Sequence, residues 1–436
     1  MTGSLSGCTD VAATPRTIAV IAAHSCPYSE VGGAENGGMS VYVRETAAAL
    51  AARGVTSVIF TRKEYADSPS ELDVPDGCHL VHIHAGPEKP LDKDGLFYHL
   101  PEFYENVNTW TREHGVAFDL VQSHYWLSGW VGRRLGGLWG VPWTHMAHTL
   151  GRVKDRDRPE GAARESDQRI AVELEIVRSC NRLIAPTPRE VEDLAYLYGA
   201  DRSCIDVVAL GTDLARFHHA EPGDLRTQLG LGPDERVILF TGRLERLKGV
   251  ETLIRALPHL PADVGPRRLL VAGADSGNGV AEAGGFVSER ARLESLAADL
   301  GVTDQVTFLG AVPHNQLPRY YSLADVCAVP SYSESFGLVA LEAAACGTPV
   351  VASRVGGLVH VVADGRTGFT VRNHDPEKYA ERLGLLLTDE PLRRRMGAAA
   401  AELAAGFTWD ATAARLIDVY CNTAASYVRA AESVLG

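Results

Sequence analysis

Two glutamates, Glu334 and Glu342, flank a Ser-Phe-Gly turn in the segment SYSESFGLVALEAAACGT, which runs from Ser331 to Thr348. Gly337 permits close backbone approach, and the run from Leu338 to Cys346 favours a helix. The segment therefore predicts a loop feeding a helix start. Backbone N–H groups over Ser335, Phe336, Gly337 and Leu338 would face outward without intrahelical partners, backed by the positive end of the helix dipole. That arrangement suits a phosphate. Glu334, before the turn, is placed to accept hydrogen bonds from sugar hydroxyls. Glu342, about one turn into the helix, is placed to hold a ribose diol. Taken alone, the same pattern also describes a buried helix with two solvated acids.

A second segment adds charge of the opposite sign. Val237 to Thr241, VILFT, reads as a buried strand; GRLERLKG follows from Gly242 to Gly249; VETLIRALPHL then has helical spacing. Strand, glycine loop and helix is the order of a pyrophosphate site at the carboxyl edge of a parallel sheet. Arg243 offers a planar fork and Lys248 a point charge. Two fixed cations can neutralise a diphosphate leaving group without a metal ion. A lone basic run is usually solvated; its pairing with the Glu334 segment gives it chemical meaning.

The elements that must position these residues alternate between strand and helix. Thr17–Ala23 is the first strand, and Asn36-Gly37-Gly38 opens a helix running to Arg53. Gly37 and Gly38 give that helix start an anion-friendly backbone. Further strands are expected at Thr56–Thr61, Leu80–His84, Leu120–Ser123, Arg182–Ala185 and Ile205–Ala209. A second series begins near Val237 and continues through 269–274, 306–312, 326–331 and 349–353. This predicts an α/β chain of two doubly wound parallel-sheet domains facing a cleft, with a linker near 211–223. The expected divisions are a disordered tail over 1–15, a first domain over 16–215, a second over 216–409, and a closing segment over 410–436.

The composition fits an enzyme of this size and narrows its partners. A chain of 436 residues has length for two or three domains. A net charge of −13 argues against nucleic acid or an anionic membrane as partner. Any anion site must therefore be locally basic. No apolar run is long enough to span a membrane, and the amino terminus has no secretory pattern, so a cytoplasmic location is expected. Eight cysteines are scattered with no CxxC pair, which favours free thiols. No metal-ligand spacing is evident, and neither a metal nor another cofactor is expected. Monomer and homodimer are both open.

GRLERLKG and ESFGLVALEA together resemble the retaining nucleotide-sugar glycosyltransferases of family 4, which have the GT-B fold. The amino-half segments HSCPYSEVGGAENGGMSVYV, FTRKE, AGPEKPLDKDGL, SHYWLSGWVG and HMAHTLGRVKD resemble the sucrose-phosphate synthase branch. Within it they are most similar to the mycothiol-pathway group that transfers N-acetylglucosamine to an inositol phosphate. The resemblance covers roughly residues 16–425. It implies a nucleotide-diphosphate sugar (UDP or GDP) bound mainly to the second domain, a small polar acceptor bound mainly to the first, and a final helix that crosses back. It also implies transfer by front-face attack, because the family has no carboxylate nucleophile there.

The resemblance assigns residues as well. His148, in AHT, matches the family histidine that faces the donor sugar and is preferred over His145. Arg243, Lys248, Glu334 and His148 are thus the catalytic candidates. Gly37, Gly38, Ser335, Phe336, Gly337, Leu338 and Glu342 are expected at the donor. Lys93 in LDKDGL, Tyr125 in HYW, Thr149 in AHT and Arg169 in QRIAVELE match residues that gather round an acceptor phosphate. Ser40 stands where the family has an asparagine at the acceptor, and the loop EVGGAEN also differs. An aminocyclitol, or a thiol or thione such as ergothioneine, is the alternative acceptor; a non-catalytic sugar-nucleotide sensor is a remote one.

Overall fold

The computed structural model describes residues 14–28, 37–74, 77–275, 280–282 and 285–435. Most of the expected tail and the EVGGAEN loop lie outside the described residues. The first sheet contains β1 (Thr17–Ile21), β2 (Thr56–Arg62), β3 (Glu71–Val74), β4 (Cys78–Ile83), β5 (Leu120–His124), β6 (Trp143–Met146), β7 (Arg182–Ala185) and β8 (Ile205–Val207). Their order is β3-β4-β2-β1-β5-β6-β7-β8, parallel except for β3 against β4. The second sheet contains β9 (Arg236–Thr241), β10 (Arg267–Ala272), β13 (Val306–Gly310), β14 (Val326–Val329), β15 (Val350–Ser353) and β16 (Gly368–Val371), ordered β13-β10-β9-β14-β15-β16 and wholly parallel. A short hairpin, β11 (Val280–Glu282) with β12 (Gly285–Val287), stands apart.

The strands are continuous apolar runs because helices cover both faces of each sheet. β5 is buried throughout its length. The strand order reverses beside β1 in one sheet and beside β9 in the other. Crevices at the carboxyl ends of strands open at such switch points. His24 and Ser25 follow β1, and Tyr125 follows β5. Gly242 and Arg243 follow β9, and the Glu334 turn follows β14.

Boundaries differ from expectation for local reasons. The helix expected from Asn36 to Arg53 is Gly38–Ala51. β10 stops at Ala272 because the next residue, Gly273, lies against the Gly242 carbonyl. β13 stops at Gly310, whose φ of 72° no ordinary strand residue adopts. β3, β16 and the hairpin were not expected. β3 is an edge strand whose ELDV sequence is exposed at three of four positions, so it carries no alternating pattern.

The chain passes between the domains twice, at adjacent places. Thr212 bridges to Thr408, and the Thr212 N–H donates to the Phe407 carbonyl at 3.0 Å. The helix Trp409–Leu435 then packs on the helix Gly38–Ala51. Arg53 holds Asp410 with two bonds of 3.0 and 2.9 Å, and Thr412 Oγ1 donates to the Ala209 carbonyl at 2.9 Å. Tyr420 donates to Gln122 of β5. The crossing helix is thus part of the first domain's core. Trp409, buried edge-on to Tyr42 at 6.0 Å, anchors its start. Trp409→Ala is expected to lower the unfolding free energy by about 3 kcal/mol in urea denaturation. A loss below about 1 kcal/mol would show that the crossing contributes little.

Candidate active site

A cavity of about 350 Å³ opens between the carboxyl ends of the two sheets and is walled by both domains. Among the sequence-predicted site residues, only Ser40 and Arg169 do not line it.

On the second-domain side, the two predicted segments meet. Lys248 Nζ lies 2.8 Å from Glu334 Oε2, although 86 residues separate them in sequence. Ser331 Oγ also donates to that oxygen at 3.4 Å. Arg243 is held by Glu245 at 2.9 Å. Gly337 has φ 106°, and a Cβ there would meet Leu358 Cδ2 at 2.7 Å, so position 337 admits only glycine without strain. It is the N-cap of the helix Leu338–Ala345, and no described side chain caps that start. Phe336 is buried beneath the turn.

Glu342 is more enclosed than a solvated acid. It is 5% exposed, accepting from His314 Nε2 at 2.8 Å and from Tyr321 O–H at 3.0 Å. His314 Nδ1 faces Arg216 at 3.4 Å, and Arg216 reaches Glu45 on the helix Gly38–Ala51 at 3.4 Å. The donor wall is therefore tied to the interdomain linker. A carboxylate has about four lone-pair sites, so these bonds leave acceptor capacity on Glu342.

The first-domain wall faces this arrangement directly. The helix Gly38–Ala51 starts at Gly37, also without a described side-chain cap. A Cβ at Gly37 would stand 3.9 Å from Arg243 Nε, and one at Gly38 would stand 3.3 Å from Leu338 Cδ1. Two uncapped helix starts and two cations therefore surround one space. Ser335 Oγ closes the gap by donating to the His148 carbonyl.

Tyr125 and His148 sit at positive φ, 75° and 57°, just past β5 and β6. Such strain at non-glycine residues is typical of functional sites. His148 Nε2 shares a hydrogen bond of 2.9 Å with His124 Nδ1. Burial, with His145 adding to it, pulls His148 down to about 3. It is a neutral imidazole, fit to hydrogen-bond a sugar hydroxyl rather than to donate a proton as an acid. His145 points into the sheet instead, against Ser123 Oγ at 2.9 Å.

The acceptor-side residues converge, but in two layers. Lys93 Nζ stands 5.8 Å above the Tyr125 ring, and Thr149 is exposed to the cavity. Lys93 begins a short helix capped by Asp92, and Arg62 steadies the preceding segment by donating to the Pro87 and Lys89 carbonyls at 2.9 and 2.7 Å. Arg169 lies behind them, 2% exposed. Its Nε donates to Glu173 at 2.7 Å and its NH1 to Glu165 at 2.7 Å and Tyr125 Oη at 3.1 Å. Its NH2 donates to the Thr149 carbonyl at 2.9 Å and Oγ1 at 3.0 Å. A guanidinium has five N–H donors, and all five are engaged within the protein. Arg169 therefore orients Tyr125 and Thr149 rather than touching an acceptor itself, a correction to the sequence-based role. Burial opposes its charge, but Tyr125, Glu173 and Glu165 outweigh that and raise its pKa. Ser40 needs the same correction: it is 0% exposed and bonds Ser25 Oγ at 2.8 Å, so Ser25 is the residue at the cavity wall.

Sequence reasoning missed His24, Ser25, Lys154, Glu190 and His314, all on the cavity wall. His24 and Ser25 were findable, since residues after a switch-point strand line the crevice. Burial, followed by Lys93, His148, Arg169 and Arg243, holds His24 well below its ordinary pKa.

Two opposed α/β domains around a cleft are the GT-B arrangement of glycosyltransferases, and comparisons with known proteins agree. Residues 37–211 match the family described as "Glycosyl transferase 4-like domain", and residues 223–403 match "Glycosyl transferases group 1". The chain belongs to this glycosyltransferase family. Among its relatives, a D-inositol 3-phosphate glycosyltransferase of Nocardia farcinica is 42% identical over 409 residues, covering 93% of this chain and 89% of the relative. A second, D-inositol 3-phosphate glycosyltransferase 2 of Catenulispora acidiphila, is 42% identical over 415 residues, covering 94% of this chain and 95% of the relative. A solved sucrose-phosphate synthase from Thermosynechococcus elongatus superposes with a TM-score of 0.84 at 35% identity, covering 94% of this chain and all of that one. Anabaena Alr3699/HepE, solved with UDP and glucose, shares the fold at a TM-score of 0.72 and 18% identity, covering 93% of this chain and 99% of that one. Among the described residues, no helix is long and apolar enough to cross a membrane.

Arg169→Ala would leave Glu165 and Glu173 without their shared cation. It is expected to lower the unfolding free energy by about 3–5 kcal/mol, read by denaturant titration. Unchanged stability with only a raised acceptor KM would restore the direct-contact role.

Proposed function

We propose that the chain transfers a sugar, with retention of configuration, from a nucleotide-diphosphate donor to a small anionic acceptor of the inositol-phosphate type, without a metal ion. The carrying observation is the juxtaposition across the cleft: Gly37 of one domain faces Arg243 of the other, beside the Lys248–Glu334 pair and the helix start at Gly337. That space suits a diphosphate. The nucleotide extends toward Glu342, and the sugar lies between Glu334 and His148.

The acceptor end is the side of Lys93, Tyr125 and Thr149. Among the described residues Lys93 makes no ion pair, so its charge is available to an anion. Burial pushes the Tyr125 phenol up, against the opposing pull of Arg169, and the phenol stays a neutral hydroxyl. The relatives' names point the same way, to an inositol phosphate. An aminocyclitol, thiol or thione acceptor is the second reading, and among the described residues it rests on position 40, which meets the cavity wall through Ser25.

In this reading the acceptor hydroxyl attacks the anomeric carbon on the face from which the diphosphate leaves. A donor phosphate oxygen takes the proton, and Arg243, Lys248 and the helix start at Gly337 stabilise the charge developing on the leaving group. Of the first-domain carboxylates on the wall, Asp193 is bound by Arg156 at 2.5 Å, and Glu190 is buried in the first turn of the helix Pro188–Tyr198. Closure of the cleft excludes water and limits hydrolysis.

Arg243→Ala and Lys248→Ala are each expected to lower kcat by about a hundredfold, with wild-type activity unchanged in EDTA. Near-wild-type kcat in both variants, or loss of wild-type activity in EDTA, would place the leaving-group stabilisation elsewhere.

A further inference from the structure

Glu342 is held from behind at both carboxylate oxygens. His314 Nε2 lies 2.8 Å from Oε1, and the Tyr321 hydroxyl donates to Oε2 at 3.0 Å. The single Tyr321 proton is thus committed, so Thr241 Oγ1, 2.9 Å from the same hydroxyl, is the donor in that contact. The imidazole is fixed by its other nitrogen. Arg216 NH1 stands 3.4 Å from His314 Nδ1, and a guanidinium only donates. Nδ1 therefore presents its lone pair, and Nε2 carries the proton that Glu342 receives; the tautomer follows from the two partners. Both holding groups are backed by the interdomain linker. The ring of Phe217 is buried, with its centroid 5.0 Å from that of His314 and 6.2 Å from that of Tyr321. Arg216 and Phe217 share one turn. The Phe217 N–H donates to the Asp213 carbonyl at 2.7 Å, and Asp213 Oδ1 accepts the Ala215 and Arg216 N–H groups at 3.0 and 3.2 Å. That turn directly follows the chain crossing at Thr212, and Arg216 also reaches Glu45 of the first domain at 3.4 Å. His314 and Glu342 line the cavity; Arg216 does not.

We propose that His314 and Arg216 are positioning residues for the nucleotide: Arg216 of the linker orients the His314 ring, His314 orients Glu342, and nucleotide affinity therefore depends on a linker residue outside the cavity. The proposal rests on the transfer reading, which brings the nucleotide to Glu342. A carboxylate whose oxygens each accept one fixed proton keeps its remaining lone pairs in fixed directions, as the grip on a vicinal diol requires. Without Arg216 the ring can turn over or change tautomer. A lone pair of the imidazole would then face Oε1 and repel it, and the carboxylate would lose its set. The coupling is reciprocal: a nucleotide bound to Glu342 favours the linker arrangement that holds Glu342 in place.

The test is calorimetry of UDP binding in a double-mutant cycle, with steady-state kinetics beside it. Arg216→Met keeps the stem and removes the N–H groups; it is expected to raise the Kd for UDP by about threefold to tenfold. His314→Ala should raise it by about tenfold or more. The double variant should bind no worse than His314→Ala alone, because both changes break one relay. His314→Gln, whose amide can donate to Glu342 and accept from Arg216, should return the Kd to within about threefold of wild type. In turnover, Arg216→Met and His314→Ala should raise the donor KM more than they lower kcat, and move the acceptor KM less. Additive losses in the double variant, no recovery in His314→Gln, or equal rises in donor and acceptor KM overturn the relay. Glu342→Ala separates this outcome from the reading beneath it. If it loses UDP while Arg216→Met and His314→Ala bind UDP as wild type does, the relay alone falls. If Glu342→Ala itself binds UDP as wild type does, the nucleotide does not meet Glu342, and the donor end of the transfer reading falls with the relay.

Discussion

The ion pair between Lys248 and Glu334 organises the site. It joins the loop after β9 to the loop after β14 at 2.8 Å, with both side chains about three-quarters buried, at 26% and 21% exposure. A lysine on a flexible stem is a poor fixed charge; one carboxylate partner fixes it beside the cavity. The Glu334 backbone is fixed in turn, because Gly357 N–H donates to its carbonyl at 2.8 Å and Gly356 packs against the same group. With Glu334 anchored at both backbone and side chain, the turn that follows is set beside the cavity. In a chain of net charge −13, such local fixation keeps the Lys248 charge beside the cavity.

The acceptor side repeats this logic one layer deeper. Arg169 is a buried cation held by Glu165 and Glu173, and its remaining donors aim Tyr125 and Thr149 at the cavity. Glu173 also accepts the Gly151 N–H at 3.1 and 3.0 Å and the Tyr198 hydroxyl, so it ties three helices to the same guanidinium. On the other wall Glu342, His314, Arg216 and Glu45 run from the donor pocket to the paired chain crossings at Thr212 and Thr408. The cavity wall at Glu342 and the linker at Arg216 are thus joined by one chain of side chains.

Legibility in the sequence followed the physics of each feature. Buried parallel strands are long apolar runs, so β1, β2, β5, β9, β14 and β15 could be read directly. The exposed edge strand β3 has no such pattern. The two glycine turns at the cavity were legible because glycine, cations and acids fall at fixed offsets along one stretch of chain. Ser40 and Arg169 were placed by motif alone, and a motif records which residue is present, not which layer it occupies. Burial moved both behind the wall, where Ser25, Tyr125 and Thr149 make the surface. Glu190 was hidden for the opposite reason: Thr-Pro-Arg-Glu reads as an ordinary helix start, and its backbone does serve as one. Only the fold shows that its side chain reaches the wall of the cavity.

The central claim is that two opposed helix starts and two cations carry a retaining, metal-independent transfer to an anionic acceptor. The most direct measurement is nuclear magnetic resonance and mass spectrometry of the product formed from UDP-N-acetylglucosamine in EDTA, with D-inositol 3-phosphate and uncharged cyclitols or thiones offered in parallel. The account predicts one sugar added to the phosphorylated acceptor, with the donor's α configuration kept. An inverted linkage, a requirement for a divalent metal, or transfer only to an uncharged acceptor would contradict it.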